Sequence, residues 1–443
     1  MDPGSVTVTR KLFGTDGVRG RVGELLDPEL AVALGRAATA EARGDRPQVI
    51  IVRDTRESGP MLESALAAGI AAAGGDAYLG GVLPTPAASV LVRRHGLDLA
   101  AVVSASHNPW HDNGIKFFGP DGVKLGDEIE ARIEDRMAAG RDAAAGVGRV
   151  RALEGALDDY LRELTTRFQL DLGGRRVLLD CANGATSRAA PAVFERLGAS
   201  VETVAADPDG RNINDGCGAI HPDALAERVE ATGADVGYAF DGDGDRVLAV
   251  DRAGRVRDGD EIIAISAAHL RDQGALRGGV AVTVMTNYGF HTAMADAGID
   301  VATTKVGDRY VIEELRAREW ELGGEQSGHV IWMEFAPTGD GIAAALLLET
   351  ALANGDLAEA VPFERLPQRL VNVTLRDRDA LDRATGLWEA VEREGAALEG
   401  RGRVLVRPSG TEPLVRLMVE APDEQECDAV LERLTEVASR ELG

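Results

Sequence analysis

The chain has 443 residues, 44% of them hydrophobic and 4% aromatic, and a formal net charge of −25. That length exceeds one ordinary core and predicts three or four domains, while the charge argues against nonspecific binding to nucleic acid or to an anionic membrane. The longest uninterrupted apolar run, Ile342 to Leu348, is far short of a membrane span.

The opening stretch MDPGSVTVTRKLFG contains no apolar segment of the signal-peptide kind, and Cys181, Cys217 and Cys427 lie far apart with no CxxC spacing. These features predict a cytoplasmic protein in a reducing compartment, with neither a cysteine zinc site nor a disulfide framework. Lysine is scarce: Lys11, Lys116, Lys124 and Lys305 are the four among 48 Lys+Arg, so 44 are arginine. In a chain so biased, a position that keeps lysine is a candidate for needing a compact, rotatable ammonium.

Taken in chain order, QVIIVRD, DLAAVVSAS, RRVLLDCANG, ADVGYAFDG and GVAVTVMTN read as strands ending in polar or glycine-rich loops. Helices are predicted between them, over Pro60 to Ala73, Ala189 to Leu197 and Gly289 to Ala297. This alternation predicts α/β layers. Boundaries are expected at AAAGVGRV (Ala143 to Val150), at the hairpin around Gly254 and near Pro367, giving domains 1–152, 153–254, 255–368 and 369–443. The last segment reads as a smaller α+β domain with antiparallel strands.

Four loops carry candidate chemistry. Ser104-Ala-Ser106-His107-Asn108-Pro109 follows a buried strand, and Pro109 biases Asn108 away from helix, so Ser106 stands in a strand-end loop as a candidate nucleophile. No G-x-S-x-G elbow occurs. Asp241-Gly-Asp243-Gly-Asp245-Arg246 places carboxylates at i, i+2 and i+4, which fall on one side of an extended segment. Three carboxylates so close require a cation, and hard oxygen ligands suit Mg²⁺ or Ca²⁺. An EF-hand would need Gly and Glu where Arg246 and Arg252 stand. Gly324-Glu325-Gln326-Ser327-Gly328-His329, with TKVGDRYV before it and TGDG after it, offers short polar groups suited to sugar hydroxyls. Arg407-Pro408-Ser409-Gly410-Thr411-Glu412-Pro413, followed by Arg416, combines hydroxyls, a glycine amide and two arginines, as a phosphate nest does. A Walker A lysine and a complete dinucleotide fingerprint are both missing.

In order, one per domain, these four loops resemble the α-D-phosphohexomutase superfamily. The supporting stretches are FGTDGVRG, SASHNPWHDNGIKFF, LDCANGAT, NINDGCGAIHP, TKVGDRYV, GGEQSGHV and TGDG, and the resemblance runs from KLFGTDGVRG to RPSGTEPLVR with no departure at the motif positions. It implies an α/β fold of four domains, three related α/β domains with mixed sheets plus the smaller C-terminal domain, around a central cleft that the fourth domain closes. It implies phosphoserine at Ser106, one Mg²⁺ held by Asp241, Asp243, Asp245 and a phosphoserine oxygen, and charge compensation by Arg246, Lys116 and Arg19. His107 and Lys116 are alternative candidates for the hydroxyl proton, and Lys305 is expected near the reacting end. Glu325 and Ser327 would read the sugar with His329 behind them, and Arg407, Ser409, Gly410, Thr411 and Arg416 would hold the non-reacting phosphate. The third loop is similar to the branch that interconverts glucosamine 6-phosphate and glucosamine 1-phosphate through glucosamine 1,6-bisphosphate, feeding UDP-N-acetylglucosamine and cell-wall precursors. The alternatives are the same chemistry on glucose or mannose phosphate, or a catalytically silent sugar-phosphate-binding protein. A small-molecule sugar phosphate is the expected partner, with no nucleic acid and no membrane, and a homodimer is a candidate assembly.

Overall fold

The computed structural model describes residues 12–140, 146–376, 380–408 and 414–442. The first sheet contains β1 (Val18–Arg21), β2 (Gln48–Arg53), β3 (Asp76–Val82), β4 (Leu99–Val103), β5 (Asp112–Phe118) and β6 (Val150–Ala152), in the order β1-β5-β4-β2-β3-β6. Strands β2, β3 and β4 are parallel, and β5 returns antiparallel to β4. Val49, Ile50, Ile51 and Val52 of β2 are fully buried, as an unbroken apolar run in a doubly covered parallel strand should be. The predicted helix at Pro60 runs over Gly59–Ala72 and lies against Pro28–Glu41. That approach needs small residues, since a Cβ on Gly69 would sit 2.2 Å from Val32 O.

The second sheet, β11-β10-β9-β7-β8, contains β7 (Arg176–Asp180), β8 (Ser200–Val204), β9 (Val236–Phe240), β10 (Val247–Asp251) and β11 (Val256–Arg257). The expected hairpin turns at Gly254, whose φ of 73° lies in the left-handed region. The third sheet, β13-β12-β14-β15, contains β12 (Val280–Thr283), β13 (Val301–Thr304), β14 (Leu322–Gly324) and β15 (Val330–Trp332). One pattern repeats through the three sheets. A strand parallel to the sheet's centre (β4, β9 or β14) turns back as an antiparallel partner (β5, β10 or β15). The connecting loops contain, respectively, Ser106, the three aspartates, and Glu325 to His329.

The C-terminal unit comprises Thr286–Gly298 and Pro362–Gly443. Its antiparallel sheet, β16-β18-β17, is built from β16 (Gln368–Thr374), β17 (Arg403–Pro408) and β18 (Leu414–Glu420), with Leu387, Val415, Leu417 and Leu434 fully buried in its core. It is larger than the expected 369–443 because the helix Tyr288–Asp296 belongs to it. Fully buried Glu420 explains the attachment: it accepts hydrogen bonds from Tyr288 N (2.9 Å), Asn287 Nδ2 (3.3 Å) and Arg403 Nε (2.7 Å). All three cysteines are buried and free, and among the described residues no helix is long and apolar enough to cross a membrane.

Candidate active site

Ser106 is 2% exposed and holds φ = 50°, a left-handed conformation uncommon for a residue with a side chain. The loop around it is fixed from beneath. Arg56, fully buried, pairs with Asp54 at 2.8 Å and donates to the carbonyls of Ser106 (2.9 Å), Asn108 (2.8 Å) and Asp112 (3.0 Å), and also to that of Pro109. Asn214 Nδ2, from the second domain, also donates to Ser106 O at 2.9 Å. The role of Ser104 is now defined. Its hydroxyl donates to Asp54 Oδ2 at 2.6 Å and accepts the Ser106 amide at 3.0 Å, so it links the buried ion pair to the nucleophile's backbone.

The three aspartates sit in the six-residue hairpin loop between β9 and β10, where Phe240 pairs with Val247. Turns, rather than strand alternation along an extended segment, bring their carboxylates together. Gly244 supplies φ = 74°, and Gly242 leaves room for Ser106 O, which a Cβ would meet at 2.6 Å. One oxygen from each of Asp241, Asp243 and Asp245 lies within 4.8 Å of the others, and all three residues are buried. Ser106 Oγ donates to Asp241 Oδ2 at 2.6 Å. Asp243 Oδ2 accepts from Thr85 Oγ1 (2.6 Å) and Lys116 Nζ (3.0 Å), whereas its buried Oδ1 accepts no hydrogen bond from any described residue. Burial, then the charges of Asp245 and Asp243, raises the Asp241 carboxyl well above the usual range. Burial acts the same way on Asp245, but His329, Lys116 and Arg246 outweigh it and hold that carboxylate low. A trio of carboxylates, with buried oxygens of Asp243 and Asp245 lacking hydrogen-bond partners among the described residues and Asp241 resisting ionisation, fits a divalent cation.

Lys116 is 2% exposed, with Nζ also 3.5 Å from Asp16 and 3.8 Å from Asp245. Burial disfavours its charge, yet Asp16, Asp243 and Asp245 more than compensate and raise its pKa. It is therefore a fixed cation here and a poor proton acceptor. His107 is the reverse case, since burial, Arg246 and Arg19 all push the imidazolium down. Its Nδ1 lies 3.3 Å from Ser106 Oγ and 3.5 Å from Arg246 Nη1.

A cavity of about 420 Å³ opens over this cluster, with Arg19 and His107, Asp245 and Arg246, and Glu325 and Ser327 contributed by the first, second and third domains. Glu325 Oε1 accepts the Gly307 amide at 3.1 Å. His329 is buried behind the loop. Gly339 N donates to its Nε2 at 3.1 Å, which leaves the ring proton on Nδ1, toward Asp245. The TGDG motif thus acts as scaffold. A Cβ on Gly339 would strike the His329 ring at 2.5 Å, and Asp340 caps the helix Gly341–Leu352 while accepting from Tyr160 OH at 2.8 Å.

One expected residue stands elsewhere. Lys305 is exposed, its ammonium 5.8 Å from the Tyr310 ring centroid, and it is not among the residues lining this cavity. Ser409, Gly410 and Thr411 lie outside the described residues. Their flanks, Arg407 and Arg416, face each other across β17 and β18. Residues that pattern reading missed are Asp16, Asp54, Arg56, Thr85, Asn214 and Asp308. Asp16 lies inside the FGTDGVRG stretch and Asp54 ends a predicted strand, so both carried a signal; Thr85 carried none.

Models of the phosphoglucomutase/phosphomannomutase family match the chain throughout: α/β/α domain I over residues 10–144, domain II over 158–254, domain III over 258–366 and the C-terminal domain over 370–437. The chain belongs to this family. It is 50% identical over 442 residues to the phosphoglucosamine mutase of Moorella thermoacetica, covering 97% of this chain and 99% of that one. It is likewise 50% identical to the phosphoglucosamine mutase of Desulforudis audaxviator, covering 97% and 98%. In three dimensions it resembles the crystal structure of a phosphoglucomutase/phosphomannomutase family protein from Burkholderia thailandensis, with a TM-score of 0.82 at 25% identity and 97% of each chain covered.

Proposed function

We propose that the protein interconverts glucosamine 6-phosphate and glucosamine 1-phosphate in the cytoplasm, feeding UDP-N-acetylglucosamine synthesis. The carrying observation is the 2.6 Å contact of Ser106 Oγ with Asp241 beneath a cavity whose far wall is the Glu325–His329 loop. Ser106 carries the phosphoryl group. In the first transfer its Oγ–P bond breaks as a P–O bond to the sugar hydroxyl forms, giving glucosamine 1,6-bisphosphate. The second transfer returns the other phosphoryl group to Ser106 from the turned-over sugar.

Such transfers need alignment and charge compensation more than covalent machinery. Asp241, Asp243 and Asp245 would hold Mg²⁺, with an oxygen of the phosphorylated Ser106 as the further ligand. Bound there, Mg²⁺ withdraws charge from the phosphoryl group. Lys116, Arg19 and Arg246 offset the remaining negative charge. His107, kept neutral beside Ser106 Oγ, is the better-suited acceptor of the hydroxyl proton, and Lys116 holds its own. Glu325 and Ser327 contact the sugar. Arg407 and Arg416 hold the distal phosphate with Ser409, Gly410 and Thr411; two like charges opposite each other on adjacent strands are unfavourable unless an anion joins them. Domain limits of 1–152, 153–254, 255–368 and 369–443, with Thr286–Gly298 and residues 362–368 moved to the last of them, assign one of these loops to each domain.

A coupled assay on the 6-phosphates of glucosamine, glucose and mannose tests the reading: glucosamine phosphate is expected to turn over fastest, and a large preference for glucose phosphate would refute the amino-sugar assignment. Ser104→Ala is expected to leave Ser106 phosphorylated but to lower kcat about tenfold, since it removes a buried hydrogen bond worth roughly 1–2 kcal/mol that orients the nucleophile's amide. An unchanged kcat would show that Arg56 and Asn214 set the loop without Ser104.

A further inference from the structure

Ion pairs of opposite sense join the first α/β domain to the third. Arg309, in the helix Asp308–Arg318, reaches Glu130 Oε2 and Leu125 O, each at 3.4 Å, and pairs with Asp127. Its neighbour Asp308 receives the ammonium of Lys124 at 2.6 Å. This pair continues into the site. Lys124 Nζ also holds Asp16 Oδ1 at 2.5 Å, and Asp16 in turn pairs with Arg19 and, at 3.5 Å, with Lys116, which donates to Asp243. On the other side, Asp308 follows directly on Gly307, whose amide donates to the Glu325 carboxylate. Lys124 is therefore the junction of a continuous polar path from the sugar loop to the aspartate cluster.

The residue type suits the position. The side chain is 9% exposed, and one small ammonium with tetrahedral donors satisfies two carboxylates approaching from different domains. The planar arginine fork needs a flatter and wider seat. In a chain with 44 arginines, lysine has nevertheless been kept here and at the equally shared Lys116. Without this cation, Asp308 would lose its lysine partner and face Asp16, a half-buried carboxylate of the same charge.

We propose that Lys124 is a positioning residue that holds the Glu325 loop in register with the Asp16–Lys116–Asp243 cluster. The kinetic half of this proposal rests on the mutase reading above; the structural half does not. Lys124→Met is expected to lower kcat/KM on the order of 10²-fold, and Lys124→Arg is expected not to restore it. Adding Asp308→Asn to Lys124→Met removes the carboxylate that lost its lysine partner and is expected to recover about tenfold. Arg309→Met cuts the neighbouring ion pairs across the same border and is expected to stay within about twofold of the parent, separating positioning from general domain cohesion. Hydrogen exchange supplies an activity-independent readout: peptides covering residues 14–19 and 325–329 should exchange faster in Lys124→Met and not in Arg309→Met. Unchanged exchange in those peptides would overturn the proposal, as would an Arg309→Met defect equal to that of Lys124→Met. A parent protein inactive on every hexose phosphate would refute the mutase reading instead, leaving the exchange result to decide the role of Lys124.

Discussion

Ser106→Ala is expected to abolish turnover, lowering kcat by about 10⁴-fold or more, and to remove one phosphoryl group from the intact mass of the purified protein. The expectation follows from where the hydroxyl sits. Ser106 Oγ is in a buried pocket, bonded to Asp241 and beside His107, with its backbone held by Arg56, Asn214 and Ser104. None of those anchors uses the hydroxyl, so the alanine variant should keep the loop and lose only the acceptor of the phosphoryl group. Native mass spectrometry and a coupled assay on the same preparations read both effects. An alanine variant with the parent's mass, or with measurable residual turnover, would move the phosphoryl carrier to another residue.

Asp241→Asn is expected to have opposite effects on activity and on metal-free stability. Activity should fall by on the order of 10²-fold or more, because the metal loses one of its three carboxylates. The metal-free protein should nevertheless melt at a higher temperature than the parent, because one of three mutually repelling, buried carboxyls has become neutral. Burial and the charges of Asp245 and Asp243 already make Asp241 the carboxyl that most resists ionisation. Adding Mg²⁺ should raise the parent's Tm, with stabilisation of about 2.7 kcal/mol at a hundredfold excess over Kd, and should do little to the variant. Thermal scans with Mg²⁺ and with chelator make the comparison. A parent Tm indifferent to Mg²⁺, or an asparagine variant that keeps the full response, would remove the metal role from this loop. Chelation should also stop turnover in the parent.

The sequence reading located these groups because their signals are local. Aspartates alternating with glycine, and a serine between a buried strand and Asn-Pro, can be recognised without knowing what lies across the sheet. What it missed depends on contacts between distant segments. Thr85 reaches Asp243 over 158 positions of chain, and Arg56 reaches the Ser106 loop over 50. The convergence of the three aspartates was anticipated from strand alternation, yet it arises from the turn of a hairpin, because β10 returns antiparallel to β9. Lysine scarcity draws attention to Lys116 and Lys124, and at both the ammonium is shared between carboxylates. It gave no help at Lys305, which lies exposed above Tyr310. Likewise, nothing local announces that Glu420 ties Tyr288 and Asn287 to the C-terminal sheet.

The left-handed backbone at Ser106 also limits which residues can occupy that position. A β-branched side chain is a poor fit at φ = 50°, so threonine, the other aliphatic hydroxyl that could carry phosphate, is disfavoured by the main chain before any question of reactivity arises. Aspartate and asparagine, by contrast, tolerate that conformation well. The main chain thus filters position 106: a substitution there can silence the enzyme while preserving the loop's shape, and among residues able to bear phosphate it admits aspartate where it resists threonine.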